Sequence, residues 1–384
     1  MTTDHLVEPR LRALPVQLIP MRKAVILRRG ATEVRIDGER SQEAVETILA
    51  AVSGRGATVA EVCERFAEPD RPAVTRLLGQ LRTRRLLVPA GSPTPAGNGT
   101  GTDTDNAVTN DTITGGTSVE DTHAGDTSVE DSRLDIFYWH FGQRGADVAR
   151  SLSARQIAVV GVNAVSQRLV RALTAIGATN VAVLDYPPLR GTEHLTTDHD
   201  SGGAGAAVGH ADWLDRADAD ELHCVIATSD FDASECLRLW NRFCVERRIP
   251  FLPVVQRDLL GTVGPLVLPG ETPCYECVRA RESSHLDDPA ARHAVAEAAS
   301  EGQRFAALHP AGTAVLAELA AVELSKWFGG GRPPTRQVGT LVEVNVAEPA
   351  VAVRKVLRVP RCPVCSPSNT HSAGAVRASD LNPS

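Results

Sequence analysis

The chain has 384 residues, 42% of them hydrophobic, so it is longer than one average domain and has enough apolar side chains for buried cores. Its net charge of −7 argues against a nucleic-acid-binding protein. The lack of a membrane-spanning apolar run and of a signal peptide predicts a cytoplasmic protein that binds no membrane. Residues 1–90 carry +4 and residues 91–135 carry −8. This contrast favours an acidic partner for the front part, but a solvated surface without a partner would give the same pattern.

Residues 1–90 predict a small α+β domain. Three apolar runs with strand character come first: Val16–Ile19, Ala24–Arg29 and Glu33–Asp37. Ser41 is a candidate N-cap for a first helix, and Thr58 with Glu61 has the spacing of a capping box for a second. A third helix is predicted from about Arg71 to Thr83, because apolar residues recur there at helical spacing. Three strands followed by three helices are typical of a winged-helix-like domain.

Residues 91–135 predict a disordered acidic linker. They are rich in Gly, Thr, Asp and Ser and have no apolar periodicity, so they cannot bury enough surface to offset the entropy of ordering. A repeated pentapeptide, Thr117–Asp121 and Thr127–Asp131, fits a low-complexity tract. A tether of this length has an r.m.s. span of roughly 35–40 Å, which would let the flanking domains reposition.

Residues 136–384 alternate between strands and helices, which predicts a doubly wound, mainly parallel, Rossmann-like α/β sheet. The first four strands are predicted at Ile157–Gly161, Val181–Asp185, Leu222–Thr228 and Pro250–Val255. The helices among them are predicted at Val165–Ile176 and Ala233–Glu246. A helix at about Ala311–Trp327 and two strands at Val338–Val346 and Val351–Val356 complete the domain.

The first strand of this sheet ends at Gly161, where a dinucleotide-binding turn would continue with two more glycines. Asn163 and Ser166 stand at those positions, so the backbone cannot approach a phosphate as closely. Asp185 ends the second strand, where a ribose-binding carboxylate would lie, and Asp230 follows the third strand. Gly161, Asn163, Asp185 and Asp230 therefore predict a degenerate nucleotide pocket.

Four cysteines form two C-x-x-C pairs, Cys274 with Cys277 and Cys362 with Cys365. Each pair can present two thiolates on one turn, and four thiolates at about 2.3 Å suit tetrahedral zinc. Because four protein ligands leave no open position for water, the zinc would be structural and would tie the end of the chain to the sheet domain. The alternatives are four unrelated cysteines or a redox pair.

From about Arg155 to the C-terminus the sequence resembles the ubiquitin-activating, ThiF/MoeB-like family. The matching stretches are Ile157–Gly161, Ala182–Asp185, Ala227–Asp230, Asn241–Cys244, Ile249–Val254, Gly261–Gly264 and Pro269–Cys277. The resemblance implies a zinc site at the cysteine pairs, a homodimer, and ATP-dependent adenylation that needs an arginine and a lysine after the second strand. Here Asp185 is followed by Tyr-Pro-Pro-Leu-Arg190-Gly, and no lysine lies between Lys23 and Lys326. Because phosphoryl chemistry relies on positioned charge, these departures favour a chain without adenylation activity and without catalytic residues.

The front domain resembles the PqqD-like recognition domains of ribosomal-peptide (RiPP) biosynthesis. Such domains bind the leader of a precursor peptide as an added strand, against the third strand and beside the third helix. On this chain the resemblance implies a peptide-binding edge and helix formed by Glu33, Val34, Arg35, Ile36, Arg76, Leu77, Gln80, Leu81 and Arg84. The arginines would suit an acidic leader.

A PqqD-like domain followed by a degenerate ThiF-like domain resembles the ocin-ThiF-like partner proteins of thiazole/oxazole-modified bacteriocin and thiopeptide pathways. The resemblance implies that the chain binds a leader peptide and presents the precursor to a separate YcaO-type cyclodehydratase for azoline formation. One alternative is an adenylating ThiF-like enzyme that acts on a peptide or carrier-protein carboxylate. Another is a DNA-binding regulator, against which the acidic balance of the chain argues.

Overall fold

A computed structural model describes residues 9–90, 133–191, 207–216, 222–300, 307–329, 339–366 and 381. Most of the predicted acidic linker, including its repeat, lies outside these residues, so the linker remains a prediction. The domain boundaries at residues 90 and 136 likewise remain predictions.

The front part of the chain contains the three predicted strands and the three predicted helices. Strands β2 (Gln17–Met21), β3 (Ala24–Arg29) and β4 (Thr32–Asp37) form an antiparallel sheet in that order, followed by helices α1 (Ser41–Ala51), α2 (Val59–Cys63) and α3 (Arg71–Thr83). A second small sheet, which was not predicted, pairs β1 (Leu11–Ala13) with β5 (Leu87–Pro89). Alternate residues of β3, Val25 and Leu27, pack against the helices in one apolar core.

Of the two N-caps predicted for the front helices, the structure confirms one and contradicts the other. The capping box is confirmed, because the Glu61 N–H donates to Thr58 Oγ1 at 3.2 Å and the Thr58 N–H donates to Glu61 Oε2 at 2.9 Å. The prediction that Ser41 caps α1 is wrong. Arg40 holds the cap position without a side-chain hydrogen bond, and Ser41 is the first helical residue, with its side chain buried.

The second part of the chain is an α/β domain around an eight-stranded sheet, as predicted. The strand order is β13-β12-β11-β10-β9-β6-β7-β8. Its strands are β6 (Gln156–Val160), β7 (Val181–Asp185), β8 (Val208–Gly209), β9 (Leu222–Ser229), β10 (Phe251–Arg257), β11 (Leu260–Val263), β12 (Thr340–Asn345) and β13 (Ala350–Lys355). Its helices are α4 (Arg133–Trp139), α5 (Gly145–Ser153), α6 (Ala164–Ala175), α7 (His210–Arg216), α8 (Ser234–Glu246), α9 (Tyr275–Ser284), α10 (Pro289–Ser300) and α11 (Pro310–Phe328).

Strands β6 to β10 pair in parallel, and β11 to β13 extend the sheet antiparallel. Helices cover both faces of the sheet, with α8 and α9 in one apolar core and α5, α6 and α11 in the other. The doubly wound, mainly parallel architecture is therefore confirmed. Among the residues described, no helix is both long and apolar enough to cross a membrane.

The front sheet packs against helix α10 of the second domain. Ile19 and Ile26, on the face opposite the front core, form a small apolar cluster with Val295 and Ala298 of α10. Beside this cluster, the buried guanidinium of Arg28 donates to a carboxylate oxygen of Asp258 at 2.6 Å. The linker length led us to expect that the two domains can reposition, and this contact between them was not predicted. The reason is that strand β3 is apolar on both of its faces, so the sheet has two surfaces to bury.

Candidate functional site

The four predicted cysteines converge at one end of the sheet domain. Cys274 is the N-cap of α9 and Cys277 lies in its first turn, while Cys362 and Cys365 follow β13. All four sulfur atoms lie within 4.8 Å of one another. The Sγ atoms of Cys274 and Cys362 are 3.7 Å apart, and those of Cys277 and Cys365 are 3.5 Å apart. The fold therefore gathers the two C-x-x-C pairs into one cluster.

This cluster fits tetrahedral zinc. Zinc–sulfur bonds of about 2.3 Å require sulfur atoms about 3.8 Å apart, close to the two separations observed here. The Val359 N–H donates to Cys277 Sγ at 3.3 Å, which supports a negative charge on that sulfur. The four residues are thus compatible with a closed zinc site that joins the chain after β13 to α9.

We expect Cys362→Ser to release bound zinc and to lower the thermal unfolding midpoint, because three thiolates hold the metal less tightly than four. Elemental analysis of protein purified without chelators measures the metal content. Cys63→Ser is the matched control, since Cys63 lies outside the cluster in the front domain. The zinc assignment fails if the unaltered protein contains no zinc, or if both variants keep equal amounts.

The predicted nucleotide crevice begins where β6 meets α6. The side chain of Asn163 lies in it and bonds to both of its sides. Asn163 caps α6: its side-chain oxygen accepts from the N–H groups of Val165 and Ser166 at 3.1 and 3.0 Å. Its side-chain nitrogen donates to the carbonyl oxygens of Leu189 and Thr228 at 3.0 and 2.9 Å. The first amides of a helix are the groups that would bind a phosphate. Here a buried asparagine satisfies two of them.

Asp230 accepts a hydrogen bond from the first amide of the same helix. Its Oδ2 accepts from the Ala164 N–H at 3.2 Å, so a carboxylate lies where the helix dipole favours an anion. The segment after β7 closes over this pair. A Cβ added at Gly191 would lie 2.7 Å from Asp230 Oδ2 and 3.1 Å from the Asn163 Cα. Asn163, Gly191 and Asp230 therefore occupy the space between the ends of β6 and β9.

Asp185, the predicted ribose-binding carboxylate, lies in an ion pair. Arg190 Nε donates to Asp185 Oδ1 at 2.7 Å, and a second guanidinium nitrogen contacts Oδ2. The adjoining Tyr186 is fully buried in edge-to-face contact with Trp240, with ring centroids 5.7 Å apart. The arginine after the second strand is thus held by a carboxylate of its own chain.

Strand β4 is the outer strand of the front sheet, and no other strand of the described residues pairs with its outer side. The Gly38 N–H donates to the Lys23 carbonyl at 2.8 Å, and the β3–β4 register continues from this pair. Antiparallel strands bond at alternate pairs, so residues 34 and 36 face β3 and residues 33, 35 and 37 face away from it. Their N–H and C=O groups form a template for an added strand.

A groove of about 1020 Å³ lies between the end of β4 and helix α3. Five of the nine predicted peptide-contacting residues line it: Arg35, Ile36, Arg76, Leu77 and Gln80. The aromatic ring of Phe66, in the turn between α2 and α3, also lines the groove. The structure thus brings together a strand edge, an apolar floor and charged side chains within one concave surface.

The other four predicted residues lie elsewhere. Leu81 is fully buried in the front core and has no surface to offer a peptide. Val34 packs partly against the same core, and Glu33 points to the opposite face of the sheet, where it bonds to Arg28. Arg84 ends α3 and is exposed outside the groove.

The groove is more balanced in charge than the net charge of residues 1–90 indicates. Its lining contains four arginines and four acidic residues, namely Arg35, Arg40, Arg65, Arg76, Asp37, Glu39, Glu43 and Asp70. Arg35 bonds to Asp37, and Arg40 lies 3.7 Å from Asp70. Arg76 has no hydrogen-bond or ion-pair partner among the described residues. Sequence reasoning missed the wall formed by residues 65–70, because a short turn between helices carries no periodic signal.

Comparison with known proteins finds similarity in fold alone. No protein-family model and no curated protein match the chain. Among solved structures, the heterocyclase TruD is 18% identical with a TM-score of 0.43, and the match covers 93% of this chain and 43% of that one. A heterocyclase in complex with substrate and cofactor is 15% identical with a TM-score of 0.42, covering 93% and 39%. MccB of E. coli is 14% identical with a TM-score of 0.46, covering 93% and 97%. The chain thus spans less than half the length of these two heterocyclases.

Proposed function

We propose that this chain binds the leader of a ribosomal precursor peptide and presents the precursor to a separate YcaO-type cyclodehydratase, which forms azolines. The observation that carries the proposal is the open edge of β4 beside the groove at α3. An extended peptide could bond to residues 33, 35 and 37 through its backbone and bury every second side chain on the apolar floor. The YcaO-type partner is part of the proposal because the sequence resemblance implies it.

The chain has no adenylation activity of its own in this proposal. The support is the filled crevice: Asn163 and Asp230 already satisfy the first amides of α6, and Gly191 packs directly on both. ATP would have to displace these buried bonds and face a resident carboxylate. The alternative, an adenylating ThiF-like enzyme, requires that the crevice open.

We expect millimolar ATP with magnesium to leave the thermal unfolding midpoint unchanged, while the leader peptide raises it, because a ligand stabilises only the state that it binds. The leader to be tested is that of any short Cys/Ser/Thr-rich open reading frame found beside this gene. The chain should also exchange no pyrophosphate into ATP with that precursor present. Peptide-dependent exchange that disappears in a folded Asp185→Asn variant would favour the adenylating enzyme instead.

Strand addition makes a prediction that leaves the protein unaltered. We expect N-methylation of single leader residues to weaken binding at every second position across about six residues, because alternate amides of an added strand bond to β4. Fluorescence anisotropy of the full chain with labelled leader measures the dissociation constants. Uniform sensitivity, or tighter binding of a DNA duplex than of leader at moderate salt, would contradict the proposal, the latter in favour of a regulator.

Arg76 is a groove cation, without a side-chain partner among the described residues, to which an acidic leader could bond. We expect Arg76→Gln to weaken leader binding about three- to tenfold and to flatten its salt dependence, since charge-assisted contacts at a rim are screened. Arg84→Gln is the matched control, because it removes the same charge from the end of α3 outside the groove. Equal losses in both variants would mean that only the overall charge of the domain matters.

A further inference from the structure

Two of the three residues that present their backbone to the outer edge of β4, Glu33 and Arg35, hold their side chains against the second domain. Side chains alternate along a strand, so residues 33, 35 and 37 share the face that points to α10, whereas Val34 and Ile36 point to the front core. The register with Arg28 and Ile26, which contact the second domain, agrees with this assignment. An added strand would therefore lie beside the side chains of Glu33 and Arg35, which already contact the sheet domain.

Arg35 is held from both domains. Its Nε donates to Asp37 Oδ1 at 2.8 Å, and its Nη1 donates to Asp288, which precedes α10. Asp288 is fixed in turn, because its Oδ1 accepts from the Ala291 N–H at 3.0 Å. That hydrogen bond, with the one from Arg35, lowers the pKa of the Asp288 carboxyl and keeps it ionised.

Glu33 is held in a similar way. It accepts from Arg28 Nε at 3.2 Å, and the same guanidinium bonds to Asp258 of the second domain. Arg292 of α10 lies 4.0 Å from Glu33 and 3.7 Å from the buried Asp232. A continuous line of charged side chains thus runs from the edge strand to the end of β9.

We propose that Asp288 and Arg292 of the sheet domain are positioning residues for the peptide strand, so that the peptide site is complete only when the two domains are docked. This inference rests on the proposed function. Side chains directly opposite in paired strands lie about 4.5–5.5 Å apart at Cβ, so the added strand packs against Glu33 and Arg35. Ordering a free arginine on binding would cost affinity, and Asp288 has already ordered Arg35.

The test uses the full chain and the labelled leader. Asp288→Asn keeps a residue that can cap α10 but removes the charge paired with Arg35. We expect it to raise the leader dissociation constant about three- to tenfold. Asp287→Asn removes the same charge one residue away from an exposed side chain without such a contact, and we expect less than a twofold change. Arg292→Gln, with Arg171→Gln on the exposed side of α6 as its counterpart, repeats the comparison at Glu33.

A double-mutant cycle separates positioning from a general loss of structure. In an Arg35→Ala background, Asp288→Asn should have no further effect on leader binding, because the side chain that it holds is gone. Equal effects of Asp288→Asn and Asp287→Asn, or an undiminished effect in the Arg35→Ala background, would overturn the inference while the proposed function stands. Failure of the unaltered chain to bind leader at all would overturn both.

Discussion

Backbone N–H and C=O groups need hydrogen-bond partners. What a surface of this protein can bind depends on whether its backbone groups already have partners within the chain. At the start of α6, side chains of the chain itself satisfy the amides that face the crevice. Along β4, the groups of residues 33, 35 and 37 face outward beside a groove. The first arrangement satisfies the amides at which an α/β fold can bind an anion, and the second leaves backbone groups with which a further strand could pair.

The filled crevice also has a consequence for stability. A helix start that binds phosphate must keep its amides available, which leaves them unsatisfied when no ligand is bound. Asn163 removes this cost because one side chain both caps α6 and bonds to two carbonyl groups across the crevice. Asp230 adds a negative charge at the positive end of the helix dipole. The first amides of α6 therefore have hydrogen-bond partners without a nucleotide.

Much of the fold could be predicted from sequence because it depends on local patterns. Apolar periodicity located the strands and helices of the sheet domain, and the C-x-x-C spacing identified the metal-ligand candidates that the fold brings together. The missing glycines indicated a degenerate crevice, but not that Asp230 would bond to the α6 amide, which is a contact between residues far apart in the chain. The pairing of β1 with β5 and the packing of α10 on the front sheet escaped prediction for the same reason.

Strand β4 connects these features because each of its two faces contacts a different part of the protein. One face packs toward the front core through Val34 and Ile36, and the other contacts the second domain through Glu33 and Arg35. With both faces in contact, the outer edge of the strand is the direction in which no described strand pairs with it, and a peptide strand adds in that direction. A peptide bound there would be fixed relative to the sheet domain as well as to the front domain. The proposed function requires this property, because the segment that follows a bound leader would then leave in a defined direction.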